Sequence, residues 1–162
     1  MKPRVSVSSA SESTTRRMTQ IGVAAFLMTR CRYQTYASAC LRIWVEPAID
    51  LDQARFFYDA AGKPVGYVTW AWLAPDVASR LVGEGAFNLH LSEWNEGPEL
   101  WIMDLVAPFG HAADILRACA DLPEFAAAPH IRYVRRKADG SIRKVGRVRH
   151  PNYRGPAASP NC

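Results

Sequence analysis

The sequence predicts an α/β (α+β) fold, a single domain with a central mixed β-sheet flanked by helices. Of its 162 residues 49% are hydrophobic, with five Trp, six Tyr and six Phe, which is enough to build one core. The predicted elements run helix, strand, hairpin, helix, strand, helix, hairpin, and helices mixed with strand pairs favour a mixed sheet over a parallel one. We expect the domain to span residues 20–154, between an N-terminal arm (1–19) and a C-terminal tail (155–162).

Local patterns predict each element of the first half in turn. Residues 1–19 are rich in Ser, Thr and Arg, which is typical of a loose arm. Apolar residues then recur at helical spacing and predict a helix over residues 20–29. The run SACLRIWVEPAI (38–49) predicts a strand that ends at a proline. Two β-rich runs, 55–59 and 65–73, flank a Gly-Lys-Pro turn and predict a hairpin.

The second half continues the alternation. APDVASRLVGEG (74–85) predicts a short helix, and the apolar run at 100–106 predicts a buried strand. GHAADILRACADL (110–122) has apolar residues on one helical face, which predicts a helix. The runs 131–136 and 141–148 flank Ala-Asp-Gly and predict a terminal hairpin.

The terminal hairpin carries most of the excess positive charge. The chain has a net charge of +5, and one acid, Asp139, faces nine basic residues between positions 131 and 154: Arg132, Arg135, Arg136, Lys137, Arg143, Lys144, Arg147, Arg149 and Arg154. Such a cluster favours an anionic partner, which on charge alone is an acidic protein, a nucleic acid or a membrane surface.

Other features narrow the class of protein. The four cysteines have neither CxxC nor metal-site spacing, so we expect reduced thiols, no bound metal and a cytoplasmic location. No stretch reaches the length of a membrane span. The sequence has no GxGxxG, P-loop, nucleophile elbow or HExxH motif, so the common motif-borne chemistries are unsupported.

Asp104 is the strongest local anomaly. It is the one charged residue in the apolar run from Leu100 to Gly110. Removing a carboxylate from water costs several kcal/mol unless it is paired or hydrogen-bonded. Asp104 must therefore have a partner or open onto a cleft, either as a functional carboxylate or as one bonded to neighbouring side chains or amides.

The segment LWIMDLVAPFG (100–110) resembles the signature of the RTX toxin-activating lysine acyltransferases, a Trp-Phe/Ile-Ile-Asp-Trp-Ile-Ala-Pro-Phe run. Weaker similarities follow in the same order as in that family. They are VAAFLM (23–28), VEPAI (45–49), KPVGYVTWAWL (63–73), WNEGPELW (94–101) and RKVGRV (143–148). The resemblance covers about residues 21–150.

This resemblance implies a fold similar to the GNAT acyltransferases. It also implies transfer of a fatty acyl group from acyl carrier protein, as co-substrate, to an internal lysine of an RTX-type protoxin, with no bound cofactor. Because the carrier protein is acidic, the basic hairpin then favours it over nucleic acid as the partner. A homodimer is a further expectation.

The resemblance also implies the site residues. The family aspartate corresponds to Asp104. The family histidine, which follows the first helix, corresponds to Tyr33 by counting back from Pro47 without gaps. For substrate binding we single out Trp70 and Trp101 as aromatic walls and Arg132 and Arg143 as contacts to the donor.

The tyrosine leaves three hypotheses open. Tyr33, with an ordinary pKa of about 10, is a poor base but a suitable acid for a thiolate leaving group beside Asp104. Alternatively His111, the histidine nearest to Asp104 in sequence, supplies the proton transfer. In the third, the chain has lost transferase activity and uses residues 132–149 to bind an acidic protein or a polynucleotide.

Overall fold

A computed structural model of the chain describes residues 11–31, 38–83, 88–137, 141–151 and 153. The described elements, in chain order, are α1 (Glu12–Met28), a π-helical turn (Leu41–Val45) that runs into α2 (Glu46–Asp50), β1 (Ala54–Tyr58), β2 (Pro64–Leu73), α3 (Pro75–Gly83), a 3₁₀ turn (Leu91–Trp94), β3 (Glu99–Val106), α4 (Ala112–Ala120), α5 (Pro123–Ala126), β4 (His130–Arg136) and β5 (Ile142–Arg149).

The five strands form one mixed sheet in the order β1-β2-β3-β4-β5. All neighbours are antiparallel except β3 and β4, which are parallel and are connected through α4 and α5. The predicted α/β (α+β) class with a central mixed sheet flanked by helices is therefore confirmed.

Helices cover both faces of the sheet. On one face Ala71, Leu73 and Trp101 pack with α3, while Tyr67 and Val106 pack with α1. On the other face Val68, Trp70 and Leu100 pack with α4 and α5. We call these the α1–α3 face and the α4–α5 face. Among the described helices, none is long and apolar enough to cross a membrane.

The predicted strand at 38–49 is wrong, because this segment is helical. Ile43, Trp44 and Val45 favour a strand by propensity. However, the chain places Val45 and Ala48 three residues apart on one helical side, where both are fully buried. Pro47 lies in the first turn of α2, where a missing N–H costs nothing.

Helix α1 begins at Glu12, not at the predicted Gln20. Ser11 caps it by accepting a hydrogen bond from the Thr14 amide. Arg17 then ties this first half to α2, with Nε donating to Asp50 at 2.6 Å and Nη2 to Glu46 at 2.8 Å. Residues 1–10 of the predicted arm, the 138–140 turn and the predicted tail lie outside the described residues.

Candidate active site

Asp104 lies at a β-bulge in the middle of the sheet. On β3, Ile102 pairs with Trp70 of β2 and Asp104 pairs with Thr69, which leaves Met103 as one extra residue. Leu100 and Ile102 pack against the α4–α5 face. The extra residue shifts the alternation, so Val106 packs on the α1–α3 face. Asp104, opposite Thr69, therefore faces α1–α3.

The surroundings of Asp104 fit the expectation for an acid in an apolar run. Asp104 is half-buried and interacts with other groups of the protein. Thr69, its neighbour across the ladder, is fully buried, and its Oγ1 has no hydrogen-bond partner. A buried hydroxyl with no partner is unusual in folded proteins.

Strands β3 and β4 stop pairing and separate beside Asp104. The parallel ladder joins Leu100, Trp101 and Ile102 of β3 to Ile131, Arg132 and Tyr133 of β4, and the described residues form no further β3–β4 pair. Beyond that point β3 continues along β2 to Val106, whereas β4 continues along β5 to Arg136. Asp104 thus follows the last β3–β4 pair, and no described strand lies beside the inner edge of β3 at this level.

Glu99 connects two of the predicted substrate-binding residues. Its Oε2 accepts a hydrogen bond from Trp101 Nε1 at 3.0 Å, and its Oε1 lies 3.2 Å from Arg132 Nη2. Trp101 is buried. The side chains of Trp101 and Arg132 share the α1–α3 face with Asp104. Sequence reasoning missed Glu99, although its place two residues before Trp101 predicts a common side of the strand.

The other two predicted substrate-binding residues lie elsewhere. Trp70 is on the α4–α5 face, where it packs edge-to-face with Phe125 at a centroid distance of 5.1 Å. It is only 1% exposed, which favours a packing role. Arg143 is exposed on β5, at the end of the terminal hairpin remote from Arg149.

The predicted proton-transfer residues have different outcomes. Tyr33 lies outside the described residues, so its role stays a prediction. Cys31 and Leu41, which come before and after residues 32–37 in the chain, pack with Tyr67 and Val106 on the α1–α3 face. His111 precedes α4, which covers the opposite face, and its Nδ1 lies 3.8 Å from Asp114.

Neither a disulfide nor a metal centre is found in the part of the chain that the structure describes. Cys31, Cys40 and Cys119 carry free thiols, and no group of three or more His, Cys, Asp or Glu residues there could hold a metal ion.

Comparisons with known proteins give a consistent result. A family model described as the RTX toxin acyltransferase family matches residues 13–149. The lysine-acyltransferase RtxC of Vibrio cholerae is 29% identical over 70 residues, covering 43% of this chain and 45% of the relative. The RTX-II toxin-activating lysine-acyltransferase ApxIIC of Actinobacillus pleuropneumoniae is 38% identical over 69 residues, covering 43% and 42%. The protein-lysine myristoyltransferase RtxC of Kingella kingae is 27% identical over 95 residues, covering 58% and 56%. The chain spans about half the length of these curated relatives.

Proposed function

Because the chain belongs to the RTX toxin acyltransferase family, we propose that it transfers a fatty acyl group to the ε-amino group of a lysine in an RTX-type protoxin. The donor is a thioester of acyl carrier protein, and the reaction takes place in the cytoplasm. The observation that carries the proposal is the position of Asp104, a half-buried carboxylate at a bulge beside the separation of β3 and β4. The mixed sheet, with β3 and β4 separating beside Asp104, also supports the expected similarity to GNAT acyltransferases.

Asp104 binds and orients the attacking lysine. A lysine amine has an ordinary pKa of about 10.4 and is protonated at neutral pH, so it approaches as an ammonium ion that a carboxylate attracts. In a half-buried site this attraction is stronger than in water. The carboxylate thereby holds the nitrogen next to the thioester while the ammonium releases to solvent water the proton that blocks its lone pair.

The chemical step is an exchange of a thioester for an amide. The neutral amine attacks the thioester carbonyl, a C–N bond forms and the C–S bond breaks. Tyr33 donates its phenolic proton to the departing thiolate, and the proton that the attacking nitrogen loses restores the phenol. Support for this role comes from Cys31 and Leu41, which come before and after Tyr33 in the chain and pack on the face of Asp104.

The thioester-bearing arm of the donor lies along β3 where its described pairing with β4 has ended. Past Ile102 the described residues form no further β3–β4 pair, which leaves room for an extended ligand to lie beside the inner edge of β3. Trp101 and Arg132, fixed by Glu99, flank the entrance to this edge. Arg143 remains a proposed contact for the donor, whereas Trp70, buried on the opposite face, is not proposed as a contact for the acyl chain.

Co-expression with a candidate protoxin tests the proposal. We expect intact-mass analysis to show a fatty-acyl increment on a lysine of the protoxin, and size-exclusion chromatography to show a homodimer. Tyr33→Phe should lower acylation by about a hundredfold or more, the usual range for loss of a general acid, while Tyr33→His should retain or raise it. Full activity of Tyr33→Phe would transfer the role to another residue, with His111→Ala as the next variant.

A further inference from the structure

The terminal hairpin presents a cationic surface on one side of the sheet. Arg132 and Arg147 are direct partners across β4 and β5, and His130 and Arg149 form the next pair on the same side. Because Arg132 also pairs with Trp101 in the β3 register, this side continues the α1–α3 face that carries Asp104. We call Arg132, Arg147 and Arg149 the arginine face.

Among the described residues, the arginine face has a single compensating acid. Glu99, beside Arg132, is the one carboxylate that forms an ion pair with it among the described residues, and Trp101 shares that carboxylate. Arg147 and Arg149 are exposed and form no ion pair in the same part of the chain. Like charges directly opposite each other destabilise a strand pair, so the arrangement is unfavourable without an anionic partner.

His130 lies beside the same positive charges. Burial lowers the pKa of His130, and Arg147, Arg132 and Arg149 lower it further. These are the three residues of the arginine face, and no acid contributes to the shift.

The details of the surface favour a protein over a nucleic acid. Val145, 47% exposed, lies on the same side as Arg147, so apolar and guanidinium groups are interleaved as in protein interfaces. Single-stranded nucleic acids bind through aromatic platforms. The aromatic residue of the hairpin, Tyr133, lies on the opposite side, where its ring covers Gly146.

The position of the arginine face suits a partner that must reach Asp104. Arg147 lies two strands from β3, a distance of about 10 Å, and its register level is three residues from Asp104, again about 10 Å. A macromolecule seated on the arginine face could therefore extend an arm across the β3–β4 separation.

We propose that the arginine face is the docking surface for an acidic protein, which, if the proposed function holds, is the carrier protein of the acyl donor. The basic residues on the arginine face bind the acidic protein. The basic residues on the opposite side of the hairpin contribute little to this binding. Electrostatic contacts of this kind act mainly on association and weaken as salt rises.

The hairpin supplies a matched control for the test. Arg147→Glu with Arg149→Glu reverses two charges on the arginine face. Arg135→Glu with Lys144→Glu reverses two charges that pair across the same strands on the opposite side. Arg147→Gln with Arg149→Gln is the milder version should the first variant fold poorly, and circular dichroism checks all three.

Fluorescence anisotropy with labelled acyl carrier protein measures docking without catalysis. We expect the Arg147/Arg149 variants to weaken binding by about tenfold or more at low salt, with the difference shrinking as salt rises. The Arg135/Lys144 variant should stay within about twofold of the unaltered protein. In the acylation assay the first pair should raise KM for the donor and leave kcat unchanged.

Equal weakening by both pairs would overturn the inference, as would tighter binding of a single-stranded oligonucleotide than of the carrier protein on the same residues. Specific loss of carrier binding in a protein that acylates nothing supports the docking surface and counts against the proposed function. Acylation that neither pair of substitutions affects supports the proposed function and counts against the docking surface.

Discussion

At the scale of single residues, the environment of Asp104 depends on one extra residue in β3. Without the bulge at Met103, Asp104 would follow Leu100 and Ile102 onto the α4–α5 face, among apolar side chains. An unpaired carboxylate there would cost several kcal/mol. The bulge turns it instead toward the helices α1–α3, where it stays half-buried and accessible to a partner.

Thr69 gives a prediction about stability. Its hydroxyl is fully buried and has no hydrogen-bond partner. Thr69→Val replaces the hydroxyl by a methyl group of similar size, so we expect the free energy of unfolding to rise by about 1 kcal/mol in urea denaturation. Since Thr69 lies opposite Asp104, we also expect this variant to acylate more slowly.

Thr69→Ser is the control. It keeps the hydroxyl and removes a buried methyl group, so it should lower the free energy of unfolding by about 1 kcal/mol and leave acylation closer to normal. A loss of stability in Thr69→Val would mean that the hydroxyl has a hydrogen-bond partner in solution.

Cys119 gives a prediction about reactivity. Burial raises the pKa of its thiol to about 12, so almost no thiolate forms at pH 8. We expect iodoacetamide to modify Cys119 only after unfolding, with half-buried Cys31 and Cys40 reacting sooner. Peptide mapping of the alkylated protein measures this, and rapid labelling of Cys119 in the folded protein would contradict it.

At the scale of elements, the segments with a local signal were predicted and those with a distant cause were not. Both hairpins, α3, α4 and β3 follow from periodicity and turn residues alone. The early start of α1 depends on Arg17, whose partners lie 29 and 33 residues away in α2. Contacts between residues so far apart in the chain cannot be recognised from the pattern of a short sequence window.

The candidate site divides in the same way. An acid within an apolar strand is visible in the sequence, and the resemblance to a family makes Asp104 the leading catalytic candidate. The bulge at Met103 and the bridge through Glu99 depend on strand register, which tertiary packing decides. Register also determines which of the hairpin arginines share a face with Asp104.

Gly97, in the turn before β3, gives a prediction for an element boundary. Its amide donates to Trp72 O at 3.0 Å, and a Cβ at this position would lie 2.0 Å from the backbone of Leu73 and Ala74. Backbone cannot move aside as a flexible side chain can. We expect Gly97→Ala to lower the free energy of unfolding by about 2 kcal/mol.

Gly83→Ala is the matched control, because a Cβ at the end of α3 meets nothing within 4 Å. Its free energy of unfolding should stay within about 0.5 kcal/mol of the unaltered protein. Similar values for both variants, measured in the same denaturant series, would show that the turn relaxes at no cost.

At the scale of the whole molecule, the sheet separates a face that serves packing from the face that carries the proposed site. The α4–α5 face buries Trp70 and Phe125 in a closed core. The α1–α3 face carries Asp104, the Glu99 bridge and, beyond β4, the arginine face. The parallel β3–β4 pair joins the two regions that we propose as functional, and its early end lies on the route that we propose for the donor arm.

The most direct test of this account compares Asp104→Asn with Asp114→Asn in the protoxin co-expression assay. Asp114 is an exposed carboxylate on α4 that binds Arg117 on the opposite side of the molecule, so its loss is a charge-matched control. We expect the unaltered protein and Asp114→Asn to produce acyl-lysine on the protoxin. Asp104→Asn should produce none while keeping the same melting temperature and circular dichroism. Acylation by a folded Asp104→Asn at the unaltered rate would contradict the account.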